Sequence, residues 1–304
     1  MTELRNVLTD VVGGGTLLTV QPGSTHGDSL TRQGFEEYLD GTAIRRIDLD
    51  DSRFDESRGS FTGLTQSAKW GYQQLQYART RLFEDVSAVY IHGSGNVTDR
   101  RRAGIDCFLT VARFFDCPII VGPQSCQFEE TDPSALFERV DNETHFFCRE
   151  KYSYDVIWRA SAQCDHVEVY ADDDTALYVE ERALPKHSNT AEYTLLALRT
   201  DGNSLVPTIG TDITAPLTVN DISTMEQSYG QWVRAAARAE RIYTDRVRVA
   251  ILGWILDTPV TWYDTEQHTG RGVYEYSLSD EPQITFRHPT DHPHAVRDAE
   301  RAGR

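Results

Sequence analysis

Short apolar segments of four to seven residues recur along the chain, each followed by a polar turn and then by a stretch with helical spacing. That alternation leaves few folds open. A strand that is apolar along its whole length must be covered on both faces, and intervening helices supply the cover, so the pattern predicts parallel sheets in an α/β protein. The expected strands are TLLTVQ (16–21), AIRRIDL (43–49), AVYIHG (88–93), PIIVGPQS (118–125), HFFCRE (145–150) and HVEVYA (166–171). Helices are expected up to Tyr38, over 67–83 and 102–115, from Pro133, and over 152–162, with a polar loop at 50–66. The polar, proline-containing segment 180–192 reads as a linker. After it come strand 193–199, helix 224–240, strand 241–245, helix 246–256, strand 259–264, a helix near 272–278 and a polar tail from His288. The chain therefore divides into an N-terminal Rossmann-like domain, 1–182, and a shorter C-terminal one, 183–304.

Composition narrows the classes of partner. The formal net charge is −17, and lysine occurs only at Lys69, Lys151 and Lys186, so nearly every basic residue is arginine. Such an acidic, lysine-poor surface suits high salt, where self-repulsion is screened, as in a haloarchaeal protein. It disfavours nucleic acid, whose phosphates need a basic face. No apolar run approaches the length of a membrane span, and the N-terminal residues lack a basic segment followed by a long apolar one, which points to the cytoplasm. The five cysteines have no CxxC spacing and read as reduced thiols; no metal site is expected from them.

In open α/β sheets, ligands bind beyond the carboxyl ends of the strands. The residues standing there are Asp28 after the first strand; His92, Gly93 and Asn96 after the third; Gln124 after the fourth; Arg149 after the fifth; and Arg199, Asp245, Arg246 and Arg248 in the second half. His92 ends an apolar strand just before a glycine-rich turn, which suits a residue lining a site. The glycines of HGSGN would let a ligand approach the backbone, although the GxGxxG spacing of a dinucleotide motif is missing. Thr244 and Asp245 end a strand and Arg246 opens a helix at once. A helix N-terminus favours an anion, and arginine adds a bidentate donor for phosphate or carboxylate. The run Asp172–Asp174 reads as a loop with one structural carboxylate rather than a cation site, and the histidines at 288, 292 and 294 as a solvated tail.

Taken together these residues resemble the polysaccharide pyruvyltransferases. TDRVRVAI (244–251) is similar to that family's TDRLH motif, VYIHGSGN (89–96) to its HGGGN turn, and PIIVGPQS (118–125) to its proline–glutamine strand end. CREKYSYDVI, DDTALYV, THGDSL and HTGRGVYEYSL match further family elements, in the family's order, from about residue 27 to 278. The resemblance implies a GT-B-like fold with two Rossmann-like domains facing a cleft. It implies transfer of pyruvate from phosphoenolpyruvate to two hydroxyls of a sugar, as a ketal, on an exopolysaccharide or a lipid-linked glycan beside membrane glycan assembly. Phosphoenolpyruvate is then the donor substrate and no cofactor is needed. Arg149 and Arg246 would hold the donor, Arg199 would assist, and Asp28, Gly93, Asn96, Gln124 and Asp245 would line the substrate site. Arg248 stands where the family keeps a histidine, and Arg271 where it often keeps a lysine. Arginine stays charged and cannot donate the proton that enolpyruvyl transfer requires, so Arg248 would bind phosphate, His92 becomes the expected acid, and His92, Arg246 and Arg248 are the expected catalytic residues. The departure at Arg248 keeps two other readings open: a glycosyltransferase using a nucleotide-sugar on the same fold, and a non-catalytic relative of a glycan pathway.

Overall fold

The computed structural model describes residues 2–50, 75–82, 84–93, 95, 97–188, 190–200, 216–219, 221–225 and 228–288. The expected loop past Asp50, most of helix 67–83, Ser94 and Asn96 of the glycine turn, and the tail past His288 lie outside them. The chain forms two compact units. Unit 1 comprises the residues up to Ser24 and Phe35–Thr175; unit 2 comprises Thr25–Gly34 and the residues from Ala176 on.

Unit 1 is built on a six-stranded sheet of β1 (Thr16–Gln21), β2 (Arg45–Asp50), β3 (Ala88–Ile91), β5 (Ile119–Gln124), β7 (Thr144–Cys148) and β8 (Val167–Ala171). Its order is β2-β1-β3-β5-β7-β8, and every pairing is parallel. The small strands β4 (Val97–Thr98) and β6 (Cys126–Gln127) form a separate pair. All residues of β1, β3, β5 and β7 are buried, as two-sided cover requires. The covering helices include α1 (Glu3–Val12), the last turn of α2 (His26–Tyr38) from Phe35 on, α3 (75–82), α4 (Ala103–Phe114), α5 (Ser134–Phe137) and α6 (Lys151–Ala160). Helix α1 has no counterpart in the strand-and-helix pattern read from the sequence, although Leu4, Val7, Leu8 and Val12 fall at helical spacing and are buried.

Unit 2 carries five parallel strands: β9 (Tyr193–Ala197), β10 (Leu217–Val219), β11 (Ala239–Thr244), β12 (Val260–Tyr263) and β13 (Ile284–Arg287), in the order β10-β9-β11-β12-β13. Their cover comes from α7 (Ile222–Met225), α8 (Tyr229–Ala237), α9 (Val247–Ile255) and α10 (Thr269–Val273), which runs on into a π turn at Tyr274–Leu278. The long helix expected at 224–240 is in fact α7 and α8, and β11 begins at Ala239, two residues earlier than the sequence reading placed it. Helix α9 is almost wholly sunk: Val249, Ala250, Ile251, Leu252, Gly253 and Ile255 are all buried.

The α/β class and the pair of Rossmann-like parallel sheets expected from the alternation are both present. Each sheet reverses its winding direction once, between β1 and β3 in unit 1 and between β9 and β11 in unit 2. At such a point the two loops diverge from the carboxyl ends of adjacent strands and leave a crevice, the usual ligand position in open sheets. All five cysteines are free thiols, and burial pushes those of Cys117 and Cys148 up, which keeps them protonated. Among the described residues no helix is long and apolar enough to cross a membrane.

Candidate functional site

In unit 1 the reversal point holds His92. Its backbone N–H donates to the Val20 carbonyl at 2.8 Å, extending the β1–β3 ladder by one residue. The ring is buried and stands edge-on to both Tyr90 and Phe35, with centroids 5.1 Å away in each case. Gly93 follows for a steric reason. A Cβ there would lie 1.9 Å from the Pro123 carbonyl oxygen, so only glycine allows the two strand ends to meet. The glycine that the sequence offered as room for a ligand is thus needed for backbone packing.

Two strands further on stands Arg149, whose side chain is 2% exposed. Its Nε donates to Ser125 Oγ at 2.8 Å and its Nη1 to Asp174 Oδ2 at 2.7 Å. Asp174 is fully buried, so the guanidinium is held between two fixed acceptors by a charge-assisted bond. Its Nη2 lies 3.6 Å from where a Cβ on Gly95 would sit, beside the glycine turn. Gln124 is buried on the neighbouring strand, and its carbonyl accepts from the Arg149 N–H at 3.2 Å. Glu150 caps α6 by accepting from the Ser153 N–H at 3.0 Å, which fixes the backbone that carries Arg149.

The aspartate run divides its work. Asp172 accepts from the Leu4 N–H at 2.8 Å and so caps α1 across 168 residues of sequence. Burial pushes its carboxyl up against those two backbone donors, the Leu4 and Asp173 N–H groups. Asp174 braces Arg149. Among the described residues there is no group of three or more side chains able to hold a metal ion.

In unit 2 the reversal point lies between Arg199, after β9, and Asp245–Arg246, after β11. Asp245 is buried, and its Oδ1 accepts from the Arg199 N–H at 2.9 Å, joining the two loops. The Arg246 side chain reaches Asp221, which is buried after β10, and forms an ion pair through Nη2. Asp221 also accepts from the Thr200 N–H and hydroxyl, both at 3.3 Å. Arg246 is the N-cap of α9 with no side-chain hydrogen bond closing that end, and its own side chain is 15% exposed. Among the described residues the Arg246 Nε is buried without a hydrogen-bond partner. A helix N-terminus and a braced guanidinium therefore coincide at one strand end, which favours an anion.

Arg248 has a different place. Its Nε donates to Thr31 Oγ1 at 2.8 Å and to the Gly27 carbonyl at 3.3 Å. Its stem lies on Gly27 so closely that a Cβ there would be 2.5 Å from Arg248 Cγ. Asp28 is occupied nearby: it accepts from the Thr25 N–H at 3.0 Å and hydroxyl at 2.8 Å, while its own N–H donates to Thr25 Oγ1 at 3.2 Å. That reciprocal pair caps α2. The structure thus brings Asp28 and Arg248 together at the start of α2, and Arg199, Asp245 and Arg246 together at the β9–β11 reversal. Gly93, Gln124 and Arg149 meet at the carboxyl edge of unit 1, and Asn96 lies outside the described residues. The sequence reading missed two of the braces, Asp174 and Asp221, of which only the first had a signal, as part of an acidic run; the third, Ser125, closes the strand segment PIIVGPQS and stood among the strand-end residues.

No protein-family profile matches the chain, and no curated protein matches it by sequence. Among solved structures it is similar to a functionally uncharacterized protein from Klebsiella pneumoniae, at 18% identity over 94% of this chain and 99% of that one, with a TM-score of 0.66. It is also similar to the E. coli heptosyltransferase WaaC with ADP-2-deoxy-2-fluoro heptose, at 11% identity over 95% of this chain and 100% of that one (TM-score 0.47). The S. aureus MnaA–UDP structure matches at 13% identity over 88% of each chain (TM-score 0.46). At such scores the last two likenesses bear no weight on activity, whereas the first shows that this chain shares the fold of the Klebsiella protein.

Proposed function

We propose that this chain is a glycan-directed transferase that moves pyruvate from phosphoenolpyruvate onto two hydroxyls of a sugar, as a ketal. The observation that carries the reading is the pair of braced arginines. The two residues that the family resemblance assigns to the donor, Arg149 and Arg246, are each held at a strand end by a buried aspartate, Asp174 and Asp221. A guanidinium fixed before the ligand arrives loses little side-chain freedom on binding, and it presents the fork geometry that phosphate and carboxylate need.

In this reading a guanidinium braced in this way takes a phosphate or carboxylate group of the donor. An acid protonates the methylene carbon, one hydroxyl oxygen adds to the central carbon, phosphate leaves, and the second hydroxyl oxygen takes its place. Of the two hydroxyl protons released, one replaces the proton given to the new methyl group and the other leaves with phosphate. His92 is the proposed acid, by its position at the β1–β3 reversal. Arg248 is assigned to positioning, since its Nε is engaged with Thr31 and Gly27.

The test is phosphate release from phosphoenolpyruvate, measured with and without a panel of galactosides and mannosides carrying neighbouring hydroxyls. Release that depends on the acceptor, with a ketal found by mass spectrometry, is the expected result. Thermal stabilisation by a nucleoside diphosphate and none by phosphoenolpyruvate would overturn the reading in favour of glycosyl transfer.

A further inference from the structure

An edge strand presents N–H and C=O groups that no neighbouring strand takes, and proteins blunt such edges with charge, brevity or cover. Among the described residues the unit 1 sheet ends at β2 and at β8. The β2 edge is blunted: Arg45 is ion-paired with Glu84, and Arg46 with Glu36 and Asp48. The β8 edge is not. Val167–Ala171 reads VEVYA, five residues with Glu168 as the single charge. Beside it, α6 leaves Trp158 57% exposed. Trp158, Tyr154, Cys164, Val167, Val169 and Tyr170 are among the residues lining an open groove of about 440 Å³ along this edge.

The bonds to β7 fix which backbone groups of β8 face outward. The Thr144 N–H donates to the His166 carbonyl at 2.8 Å, and the Asp172 N–H donates to the Cys148 carbonyl at 3.0 Å. In a parallel ladder alternate residues of a strand turn to the same neighbour, so the even-numbered residues from His166 to Asp172 serve β7. Val167, Val169 and Ala171 then turn their N–H and C=O groups to the open side. The Val167 N–H is taken by the Cys164 carbonyl at 3.0 Å, which ends the outward row at that residue. The row is centred on Val169.

We propose that β8 is a self-association edge: two copies of this chain pair their β8 strands antiparallel about a dyad at Val169, and the two sheets run on into one. A dyad makes the interface isologous, so the strand has to complement itself. In this register Val169 exchanges both backbone bonds with the partner's Val169, and the Ala171 N–H reaches the partner's Val167 carbonyl. Glu168 stands opposite the partner's Tyr170, a pairing its own chain already makes, since the Tyr170 hydroxyl donates to Glu168. The neighbouring registers bring carboxylates together. A dyad at Glu168 sets the two glutamates face to face, and one at Tyr170 sets Glu168 opposite the partner's Asp172; like charges directly opposite destabilise a strand pair. Charge therefore selects Val169. The pairing also carries Trp158, which flanks the strand, out of water against the partner's edge. Long-range repulsion between two chains of net charge −17 opposes association, so the dimer should strengthen with salt.

Sedimentation equilibrium of the full chain, in about 0.5 M salt to screen its charge, tests the proposal. The wild type should sediment at twice the chain mass. Val169→Pro removes an outward N–H and takes no bond from β7, so it should raise the dimer dissociation constant about tenfold or more. Trp158→Arg changes an exposed side chain and should weaken the dimer to a similar extent; it carries the test if Val169→Pro fails to fold. Cysteine cross-linking reads the register. Residues paired by two backbone bonds across antiparallel strands have Cα atoms about 5.5 Å apart, within disulfide reach. Oxidation with diamide should therefore link Val169→Cys into a covalent dimer and leave the wild type, with its five native cysteines, unlinked. A wild type that stays monomeric up to about 100 μM would overturn the proposal. So would a dimer that Val169→Pro and Trp158→Arg, each shown to be folded by circular dichroism, leave intact. Cross-linking through Glu168→Cys in preference to Val169→Cys would overturn the dyad at Val169.

Discussion

Arg149→Met removes one half of a buried ion pair and leaves the other half in place. The guanidinium is 2% exposed and Asp174 is 0% exposed, with 2.7 Å between the bonded atoms. Removing a single partner from such a pair costs about 3–5 kcal/mol, because the remaining charge stays buried without its counter-ion. Loss of the Ser125 contact lies within that range. For a chain of this size the expected drop in Tm is roughly 10 °C, read by differential scanning calorimetry. The double variant Arg149→Met with Asp174→Val replaces the pair by apolar groups, and most of the stability should return, leaving a deficit of about 1 kcal/mol or less. Phosphoenolpyruvate binding should stay lost in the double variant. That split separates the brace from the anion contact. A single variant that costs less than about 1 kcal/mol would refute the buried-pair reasoning, and so would a double variant as unstable as the single one. Full phosphoenolpyruvate affinity in the stable double variant would remove Arg149 from the donor site.

Three further outcomes follow from local geometry. Gly93→Ala drives a Cβ to 1.9 Å from the Pro123 carbonyl oxygen and should cost about 3 kcal/mol, measured by denaturant unfolding. Gly27→Ala forces the Arg248 stem off its seat and should cost about 1–3 kcal/mol; combining it with Arg248→Ala should recover part of the loss, and strict additivity would show that the two residues do not touch. Partial desolvation raises the Asp99 carboxyl, but the Thr131 hydroxyl and the Glu130 and Glu129 amides outweigh it and hold it at about 2, against an ordinary 3.8. Its folded pKa is lowered, so the contribution is complete above about pH 4 and disappears as pH falls through about 2. Hydrogen exchange of the Glu129 and Glu130 amides should accelerate over that window, and Asp99→Ala should abolish the dependence.

The fold was legible because its signal is local. An apolar hexapeptide such as TLLTVQ, or the run VAILGWI, can be stable only where both faces or all sides are covered, and this requirement is written in the residues themselves. The strand ends that carry Arg149, Asp245 and Arg246 could be found the same way, since a strand stops where its apolar run stops. Strands β10 and β13 escaped notice because Leu217–Val219 and Ile284–Arg287 are short and partly exposed edge strands, whose pairing depends on neighbours far along the chain.

The partners of the site residues were not legible. Nothing near Arg149 in sequence names Asp174, 25 residues away, and nothing near Arg248 names Gly27 and Thr31, more than 200 residues away. An arginine in sequence is a charge with a long reach; which carboxylate or carbonyl accepts its hydrogen bonds depends on where the strand ends meet. The sequence by itself determined the α/β class, the edge on which the arginines gather and the acidic balance of the chain. Tertiary structure alone decided which of those arginines are braced by a buried aspartate, Arg149 and Arg246, and which, Arg248, ties one segment to another. The physical reason is that burial sets the strength of an ion pair, and burial is a property of the packed whole.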